Sequence, residues 1–307
     1  MKPHYGVCYY DRYTAQIKQE KVFAASFLNW SYNTPFGRIL TRMVLSRRTV
    51  SRLIGWLCRR GFSRHFISPF AKWSQLDSND LPCHWPEFRS FSEFFTRDMA
   101  PGQRKIAGDD TVCISPVDGK VYVIPELEMD ESLRIKRCVF NLSRLLNDRA
   151  TAQKFDGGTA VIFRLCLSDY HRIHFPVSGV PGKAVAIDGR CYAGGAYDET
   201  SQVPFYIENV RMITSINSDS FGDVAMVEIG AFTVASIVQT YKPGQYVSRG
   251  EEKGWFEPGG STVVLVFQKG SIYIDSELLE YTGRGIETRV RWGDSIGRVA
   301  AGERKKL

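Results

Sequence analysis

The sequence predicts an α+β fold, in which N-terminal amphipathic helices precede a larger, β-rich core. Two observations support this prediction. Between Phe36 and Leu57 the apolar residues recur every three or four positions, which is the spacing of one face of a helix. After Thr111 the sequence changes to short apolar or alternating runs separated by glycines, which is typical of strands and turns. With 307 residues, 43% of them hydrophobic, the chain can bury a substantial core as one large domain or two modest ones.

The N-terminal region carries the positive charge of the protein. From Lys21 to Leu76 there is no Asp or Glu, and Lys and Arg give this segment a charge of +10 in a chain whose net charge is +7. The apolar stripe predicts two helices, broken near Ser46 to Thr49. Such helices could pack on the core, dock in a membrane interface or bind nucleic acid. Packing on the core is the commonest case, and aromatic residues beside the arginines strengthen the membrane alternative; they are Trp56, Phe62, Phe66, Phe70 and Trp73.

A boundary between the two regions is predicted at residues 76–87, which combine Asp, Ser, Asn and two prolines without an apolar period. The expected domains are residues 1–86, helical and basic, and residues 87–307, β-rich. Ser90 and Glu93 predict a short capped helix, and a second helix is predicted at Leu142 to Leu146. The predicted strands are Val121 to Ile124, Thr159 to Leu167, Val224 to Ile229, Phe232 to Thr240, Val263 to Phe267 and Ser271 to Ile274.

The stretch Gly259-Gly260-Ser261-Thr262 stands directly before an apolar strand. Glycine lacks a Cβ, so the carbonyl group of Gly260 is open to approach. Once a base removes its proton, the Ser261 hydroxyl could attack that carbonyl and convert the peptide bond into an ester. Elimination from the ester and hydrolysis would leave a pyruvoyl group, which captures amines as a Schiff base and withdraws electrons. Taken alone, such a stretch is more often an ordinary turn before a strand.

Two histidines and one aspartate are candidates for assisting this reaction. His171 and His174 follow the predicted strand Thr159 to Leu167. No third His or well-placed Cys completes a zinc site, so we expect catalysis rather than a metal site. Asp118 lies in a turn between a proline and a glycine, and it could hold an imidazole in the correct tautomer, as in a Ser-His-Asp set. Each residue taken alone is more often a solvated strand end or a turn cap.

Together, the motifs from about Phe88 to Val299 resemble those of phosphatidylserine decarboxylase proenzymes, a family of pyruvoyl-dependent lyases. The sequence departs from the family pattern at Val117, where alanine is usual, at Gly259, where many members have leucine, and at Ala235, which replaces a common glycine. None of these differences removes a group that the chemistry needs. The similar stretches, in the family's order, are Phe94 to Arg97 with Pro101 and Gly102, Ser115 to Gly119, Tyr170 to His174, Asn209 to Arg211, Gly230 to Ile237, Gly250 to Phe256, Gly259 to Thr262 and Gly285 to Gly293.

The resemblance implies a β-rich catalytic core related to barrel-sandwich folds, and N-terminal helices that dock on the bilayer. It implies self-cleavage between Gly260 and Ser261, with Ser261 becoming the covalent pyruvoyl cofactor. Asp118, His174 and Ser261 resemble the self-cleavage triad. His171 resembles the residue that handles the proton during decarboxylation. The products would be a β chain, residues 1–260, and an α chain, residues 261–307, which stay associated.

The implied activity is the conversion of phosphatidylserine to phosphatidylethanolamine and carbon dioxide, through a Schiff base with the pyruvoyl group. The expected substrate is phosphatidylserine in an anionic membrane, and the expected location is the cytoplasmic side of the cell membrane, as a peripheral protein. No segment reaches the roughly 20 apolar residues of a transmembrane helix. A homodimer is left open, and neither a metal nor nucleic acid is expected.

Three alternative functions compete with this interpretation. Pyruvoyl chemistry on a free amino acid, which some relatives of the family perform, would not require the basic, aromatic segment Phe36 to Trp73. A serine hydrolase would carry its nucleophile in a G-x-S-x-G elbow before a helix, whereas a predicted strand follows Ser261. A scaffold that only binds lipid or nucleic acid would leave the motifs around His171, His174 and Ser261 unexplained.

Overall fold

The structure is a computed structural model that describes residues 8–76, 87–100, 102–135, 138–193, 205–232 and 236–300. Most of the predicted connection, residues 77–86, lies outside the described residues, as do Pro101 and the stretch from Thr233 to Ala235. Within the described ranges, no helix combines the length and the apolar character needed to cross a membrane.

The described elements alternate between helices and strands along the chain. The helices are α1 (Ala25–Asn33), α2 (Pro35–Leu40), α3 (Arg48–Cys58), α4 (Ile67–Ser74), α5 (Phe91–Phe95), α6 (Leu142–Leu146), α7 (Arg149–Gln153), α8 (Phe205–Glu208) and α9 (Ser276–Gly283), with a π-helical turn at Thr41–Leu45 and a 3-10 helix at Gly61–Phe66. The strands are β1 (Cys8–Asp11), β2 (Gln16–Gln19), β3 (Val112–Ile114), β4 (Gly119–Leu127), β5 (Leu133–Ile135), β6 (Cys138–Phe140), β7 (Gly158–Leu165), β8 (Arg172–His174), β9 (Val180–Pro181), β10 (Val185–Ile187), β11 (Arg211–Ser218), β12 (Gly222–Gly230), β13 (Ile237–Gln239), β14 (Glu252–Phe256), β15 (Ser261–Phe267), β16 (Ile272–Ile274), β17 (Glu287–Val290) and β18 (Ser295–Val299).

β15 lies near the centre of a large, mainly antiparallel sheet. The strands follow in the order β10, β11, β12, β15, β7, β4, β17, β1 and β2, and β9 pairs with β11. β12 and β7 flank β15 and pair with it from Ser261 to Phe267. The order of the described strands runs between two free ends, β10 and β2, so this sheet does not close into a barrel. The described chain thus combines helices with large sheets, which is consistent with the predicted α+β class.

Both faces of β15 are buried because the sheet lies between two apolar layers. Val263, Leu265 and Phe267 belong to a cluster shared with two three-stranded sheets, β13-β14-β8 and β16-β18-β3. Val264 and Val266 belong to a second cluster, shared with the short helices α6, α7 and α8. Alternate residues of a strand point to opposite faces, so a central strand with two covered faces requires an uninterrupted apolar run.

The first described residues form a hairpin in the large sheet, which differs from the predicted helical region of residues 1–86. β1 pairs parallel with β17, with Tyr9 opposite Glu287, and β2 pairs antiparallel with β1. The side chain of Asp11 is buried and accepts hydrogen bonds from Lys18 at 2.8 Å and Arg289 at 3.2 Å. These ion pairs hold the hairpin at the edge of the core. The helical region begins after the hairpin, at Ala25.

The helical region contains short helices joined by tight turns. The break predicted near Ser46 falls there: the π-helical turn ends at Leu45 and α3 begins at Arg48. The end of this region is anchored on the core by a third apolar cluster, in which Ile67 and Phe70 of α4 pack with Phe94 of α5. Helices this short are marginal alone, so packing of this kind is what stabilises them.

Two local predictions are confirmed in detail. α5 begins after Ser90, whose hydroxyl accepts the N–H of Glu93 at 3.2 Å. α6 spans the predicted residues Leu142–Leu146, with Asn141 as its N-cap. The predicted strands overlap β4, β7, β12, β15 and β16, whereas only Ile237–Gln239 is a described strand within the predicted Phe232 to Thr240.

Candidate active site

Ser261 is the first residue of β15 and lies between the ends of two neighbouring strands. It pairs with Gly230, the last residue of β12, and with Leu165, the last residue of β7. Its exposed fraction is 2%. Because both neighbouring strands end here, the chain that follows each of them can reach the peptide bond between Gly260 and Ser261.

The two glycines before Ser261 differ in backbone conformation and in surroundings. Gly259 has a φ of 149°, in the range that glycine adopts more readily than other residues. A Cβ added at Gly260 would meet only the Ala231 Cβ, at 3.4 Å. Beyond the two chain neighbours, no backbone atom lies within 4 Å of an added Cβ there, so the space beside Gly260 is open on that side.

The chain after β7 returns His171 to Ser261. His171 Nδ1 lies 3.2 Å from Ser261 Oγ, and His171 Nε2 lies 3.0 Å from the main-chain oxygen of Cys166. A carbonyl oxygen can only accept, so Nε2 carries the proton and Nδ1 is left to accept the Ser261 hydroxyl. Burial lowers the pKa of His171 to about 3, so the imidazole is neutral near pH 7. The ring also stacks on Phe95, with centroids 4.1 Å apart.

The chain after β12 places a hydrogen-bond donor on the carbonyl of Gly260. The N–H of Ala231 donates to the Gly260 oxygen at 3.0 Å. If Ser261 Oγ attacked this carbonyl, negative charge would develop on the same oxygen, where a fixed N–H group stabilises it. One peptide bond thus has a nucleophile, a proton acceptor and an oxyanion donor.

His174 and Asp118 lie in a separate, adjoining group. His174 donates from Nδ1 to the Gly250 oxygen at 2.9 Å, and its Nε2 lies 3.3 Å from the Tyr170 hydroxyl. Asp118 accepts the N–H of Trp292 at 2.8 Å and the Arg104 guanidinium at 3.2 Å. The Trp292 ring stacks on the His174 imidazole with centroids 4.0 Å apart, so it connects the two residues.

The sequence assigns the base at Ser261 to His174, whereas in the structure His171 is the histidine that lies at the serine hydroxyl. The reason is strand geometry. His174 belongs to β8, and His171 directly precedes that strand, so the two lie three residues apart and point to opposite faces. Among the described hydrogen bonds, none joins Asp118 directly to either histidine. Burial raises the pKa of Asp118 and lowers that of His174.

A buried charged cluster fixes the turn from Cys166 to His171. Asp169 Oδ2 accepts the N–H of Cys166 at 2.8 Å and lies 3.1 Å from the ammonium of Lys120. Burial acts to raise the pKa of Asp169, but Lys120 and the Cys166 N–H outweigh it and lower the pKa. The ionised carboxylate thus holds the turn whose carbonyl orients His171. Arg164 belongs to the same cluster, and its guanidinium lies 2.6 Å from the carboxylates of both Glu20 and Glu287.

A cavity of about 690 Å³ opens at the candidate cleavage site, a size typical of small-molecule sites. Gly259, Gly260 and Ala231 contribute to its lining on the core side. The side contributed by the helical region is almost entirely apolar; it includes Phe27, Ile54, Leu57, Phe62, Phe66 and Trp73. An ion pair of 3.0 Å between Arg59, at the end of α3, and Glu257 links the helical region to the cleavage loop.

Several contributors to the site carry no signal in the sequence. The Ala231 N–H and the Cys166 carbonyl are main-chain groups, so no residue type identifies them. Phe95 and Trp292 lie within the family-like motifs, but their stacking on histidines depends on tertiary contacts. In the part of the chain that the structure describes, no group of three or more His, Cys, Asp or Glu residues is placed to hold a metal ion.

Comparison with known proteins gives a consistent result. The family profile described as phosphatidylserine decarboxylase matches residues 91–298. A phosphatidylserine decarboxylase proenzyme of Clostridium beijerinckii is 36% identical over 288 residues, which cover 94% of this chain and 97% of the relative. The corresponding proenzyme of Chlamydia felis is 37% identical over 290 residues, with 94% and 97% covered. A Clostridium kluyveri proenzyme is 37% identical over 289 residues, with 94% and 98% covered.

Proposed function

Because the chain belongs to the phosphatidylserine decarboxylase family, we propose that it converts phosphatidylserine to phosphatidylethanolamine and carbon dioxide, after cutting itself between Gly260 and Ser261. The observation that carries this proposal is the pairing of His171 Nδ1 with Ser261 Oγ next to a Gly260 carbonyl that already accepts an N–H. The arrangement fits a proenzyme, since a serine poised against its own preceding carbonyl has no separate substrate to act on.

The first step of self-cleavage follows from these contacts. Ser261 Oγ attacks the Gly260 carbonyl carbon while its proton passes to His171 Nδ1, and the Ala231 N–H stabilises the charge on the carbonyl oxygen. The bond from Gly260 to the Ser261 nitrogen then breaks, and the proton returns to that nitrogen. The product is an ester between the Gly260 carbonyl and Ser261 Oγ, with no atom gained or lost.

The second step separates the fragments. A base takes the Cα proton of Ser261, and the Gly260 carboxylate leaves from Cβ, so residue 261 becomes dehydroalanine. Addition of water and loss of ammonia give the pyruvoyl group at the start of residues 261–307. When present, this group would capture the substrate amine and accept the electrons released as carbon dioxide leaves.

The roles of the chain's own residues follow from their positions. His171 contacts the side chain of residue 261, so we assign to it both the proton taken from Ser261 and the proton given to the substrate carbon after carbon dioxide leaves. Asp118 and His174 form the adjoining group through Trp292, and we assign to them the positioning of the segment that carries His171. If Asp118 and His174 formed a triad directly with Ser261, His174 would have to break its hydrogen bonds with Tyr170 and Gly250.

The apolar cavity favours a phospholipid over a free amino acid. A free amino acid carries no long apolar chain, whereas the cavity presents a mostly apolar wall directly beside Gly260. Large apolar side chains of the helical region are also exposed. Phe36 is 67% exposed, and the exposed fractions of five others lie between 54% and 61%; these are Phe66, Ile39, Met43, Leu53 and Phe62. The exposed arginines of the same helices would lie at anionic headgroups. We infer that this region docks on an anionic bilayer and feeds the cavity.

Two finer features of the architecture complete the proposal. The relation to barrel-sandwich folds is supported by the two small sheets that stack on the large sheet over one shared core. A membrane-docking region that ends near residue 86 is supported from Ala25 onward, because the residues before it belong to the core sheet.

The function is tested by carbon dioxide release. The wild-type protein and Ser261→Ala are each incubated with carboxyl-labelled phosphatidylserine in mixed vesicles and, separately, with labelled free serine. We expect release from the lipid alone, and only by the wild type, because the variant has no hydroxyl from which to form the keto group. Release from free serine at an equal rate would favour a decarboxylase of free amino acids. No release from either substrate by self-cleaved protein would contradict the proposal.

A further inference from the structure

One peptide group joins the cleavage site to a buried side chain. The N–H of Ala231 donates to the Gly260 carbonyl oxygen at 3.0 Å. The carbonyl oxygen of the same peptide group belongs to Gly230 and accepts Nδ2 of Asn209 at 2.8 Å. A peptide group is planar and its N–H and C=O point in opposite directions, so holding the carbonyl also aims the N–H.

Asn209 is well suited to hold that carbonyl. Its side chain is fully buried, and it makes three hydrogen bonds, all to the main chain. Nδ2 donates to the Tyr192 and Gly230 oxygens, each at 2.8 Å, and Oδ1 accepts the Tyr192 N–H at 3.0 Å. The opposite amide orientation would place Oδ1 against two carbonyl oxygens, so these partners fix the orientation of the amide.

The held peptide group lies just beyond the end of the sheet ladder. The last pair of β12 and β15 is Gly230 with Ser261, and β12 ends there. The Ala231 N–H therefore makes the last ladder hydrogen bond at this end, and no further described strand pair lies beyond it to hold it in place. Ala231 also belongs to the lining of the cavity that opens at Gly260.

We propose that Asn209 is a positioning residue for self-cleavage, which keeps the Ala231 N–H aimed at the Gly260 oxygen as that oxygen becomes negatively charged. The inference rests on the proposed self-cleavage and adds to it the group that organises the oxyanion site. A hydrogen bond to a developing oxyanion strengthens as the charge grows, so a small misalignment slows the reaction more than it destabilises the fold. Once the ester has been eliminated, the Gly260 carbonyl is no longer a reacting group.

The test is Asn209→Asp, which keeps the size of the side chain but replaces its two N–H donors with a carboxyl group that has at most one O–H donor. Precursor is made by cell-free synthesis, and cleavage is followed with time on a denaturing gel. We expect cleavage to slow by roughly 10- to 100-fold, which is at most the rate loss expected when an oxyanion donor is removed entirely. The turnover number per matured chain, measured after cleavage has finished, should stay within about threefold of wild type, because the site acts before maturation.

Asn141→Asp is the matched control. Asn141 is 6% exposed, donates from Nδ2 to the main-chain oxygens of Asp130 and Glu131, and accepts the Arg144 N–H at 3.0 Å. It therefore loses the same kind of bonds far along the chain from the cleavage loop. We expect this variant to cut itself at the wild-type rate, even if its melting temperature falls as much as that of Asn209→Asp.

The outcomes separate this inference from the proposed function. If wild type cuts itself and folded Asn209→Asp does so equally fast, the role of Asn209 is overturned while the proposed function stands. If the matured variant is slowed in turnover as much as in cleavage, Asn209 is structural and the inference also fails. Wild type that remains whole would contradict the proposed function first. Asn209→Ser, whose hydroxyl can donate to only one carbonyl, decides by the same criteria if the Asp variant does not fold.

Discussion

At the scale of single residues, the chemistry depends on which histidine reaches Ser261. His171 lies at hydrogen-bond distance from the hydroxyl, and its other nitrogen is committed to the Cys166 carbonyl. His174 is committed to Gly250 and stacks on Trp292. The two residues therefore have different environments, although they stand three positions apart in one motif.

The first prediction concerns His171→Ala and His174→Ala. Because His171 is the proton acceptor at Ser261, its alanine variant should cut itself at least about 100-fold more slowly, the low end of the range expected for loss of a general base. Chains of this variant that do mature should release carbon dioxide poorly. His174→Ala should still be cut. Cleavage is followed on a denaturing gel, and turnover is followed by carbon dioxide release. If His171→Ala is cut at the wild-type rate while His174→Ala stays uncut, His174 is the base.

The second prediction concerns the pH dependence of self-cleavage. The reaction needs neutral His171, and burial lowers its pKa from 6.5 to about 3. A lowered pKa means that the neutral form persists as the pH falls, until about 3. Cleavage of freshly made precursor should therefore be nearly constant between about pH 5 and 8. A rate that halves near pH 6.5 would show that a solvent-like histidine is the base.

The sequence motifs predict candidate site residues but not which of them are in contact. Asp118, His171, His174 and Ser261 are all recognisable from motifs; the structure places His171 at Ser261 and links Asp118 to His174 through Trp292. The contact itself depends on the turn after β7 and on where β8 begins, which are set by pairing with β14. The oxyanion donor is a main-chain N–H, so residue types carry no information about it.

At the scale of elements, the helical region and β15 have different roles. β15 places the cleavage site at the meeting point of two strand ends. The helices supply the apolar side of the cavity and an outward face that combines aromatic residues with arginines. The large apolar side chains of this face are not covered by the described core, and such exposed sets are typical of interaction surfaces.

The third prediction is that these helices bind anionic bilayers in a salt-dependent way. Each arginine near an anionic surface contributes about 1 kcal/mol, so Arg38→Gln combined with Arg42→Gln should weaken binding about 30-fold at low salt. Phe66→Ser should also weaken binding. Tyr273→Ser is its control, since Tyr273 is similarly exposed, at 63%, but lies on β16. Vesicle flotation that is indifferent to lipid charge, to salt and to these substitutions would contradict membrane docking.

The strongly apolar elements are predictable, and the polar short ones are not. β7, β12 and β15 were identifiable from their apolar runs, and α6 from its spacing. β2, with the sequence Gln-Ile-Lys-Gln, shows only one apolar residue, and its place in the sheet depends on the buried ion pairs of Asp11. Elements stabilised by distant partners therefore escape a local pattern.

At the scale of the whole molecule, cleavage would cut the chain beside a central strand. β15 is the first element of the fragment 261–307, and it lies between β12 and β7, which belong to the fragment 1–260. β17 and β18 of the small fragment pair in turn with β4 and β3 of the large one. The small fragment is thus built into two sheets of the core.

The fourth prediction follows from this topology. The two fragments should copurify under native conditions and elute together in gel filtration, because separating them would break the ladders on both sides of β15 and expose its apolar run. They should separate only in denaturant. Dissociation of the small fragment in buffer without denaturant would show that the sheet rearranges after cleavage.

The central claim, self-cleavage between Gly260 and Ser261, is tested most directly by the intact mass of an active preparation under denaturing conditions. The account predicts two chains, residues 1–260 and residues 261–307, with the smaller lacking the amine of Ser261 and carrying a keto group in its place. Ser261→Ala should give a single chain of residues 1–307. Full-length protein alone in a preparation that releases carbon dioxide would contradict the account.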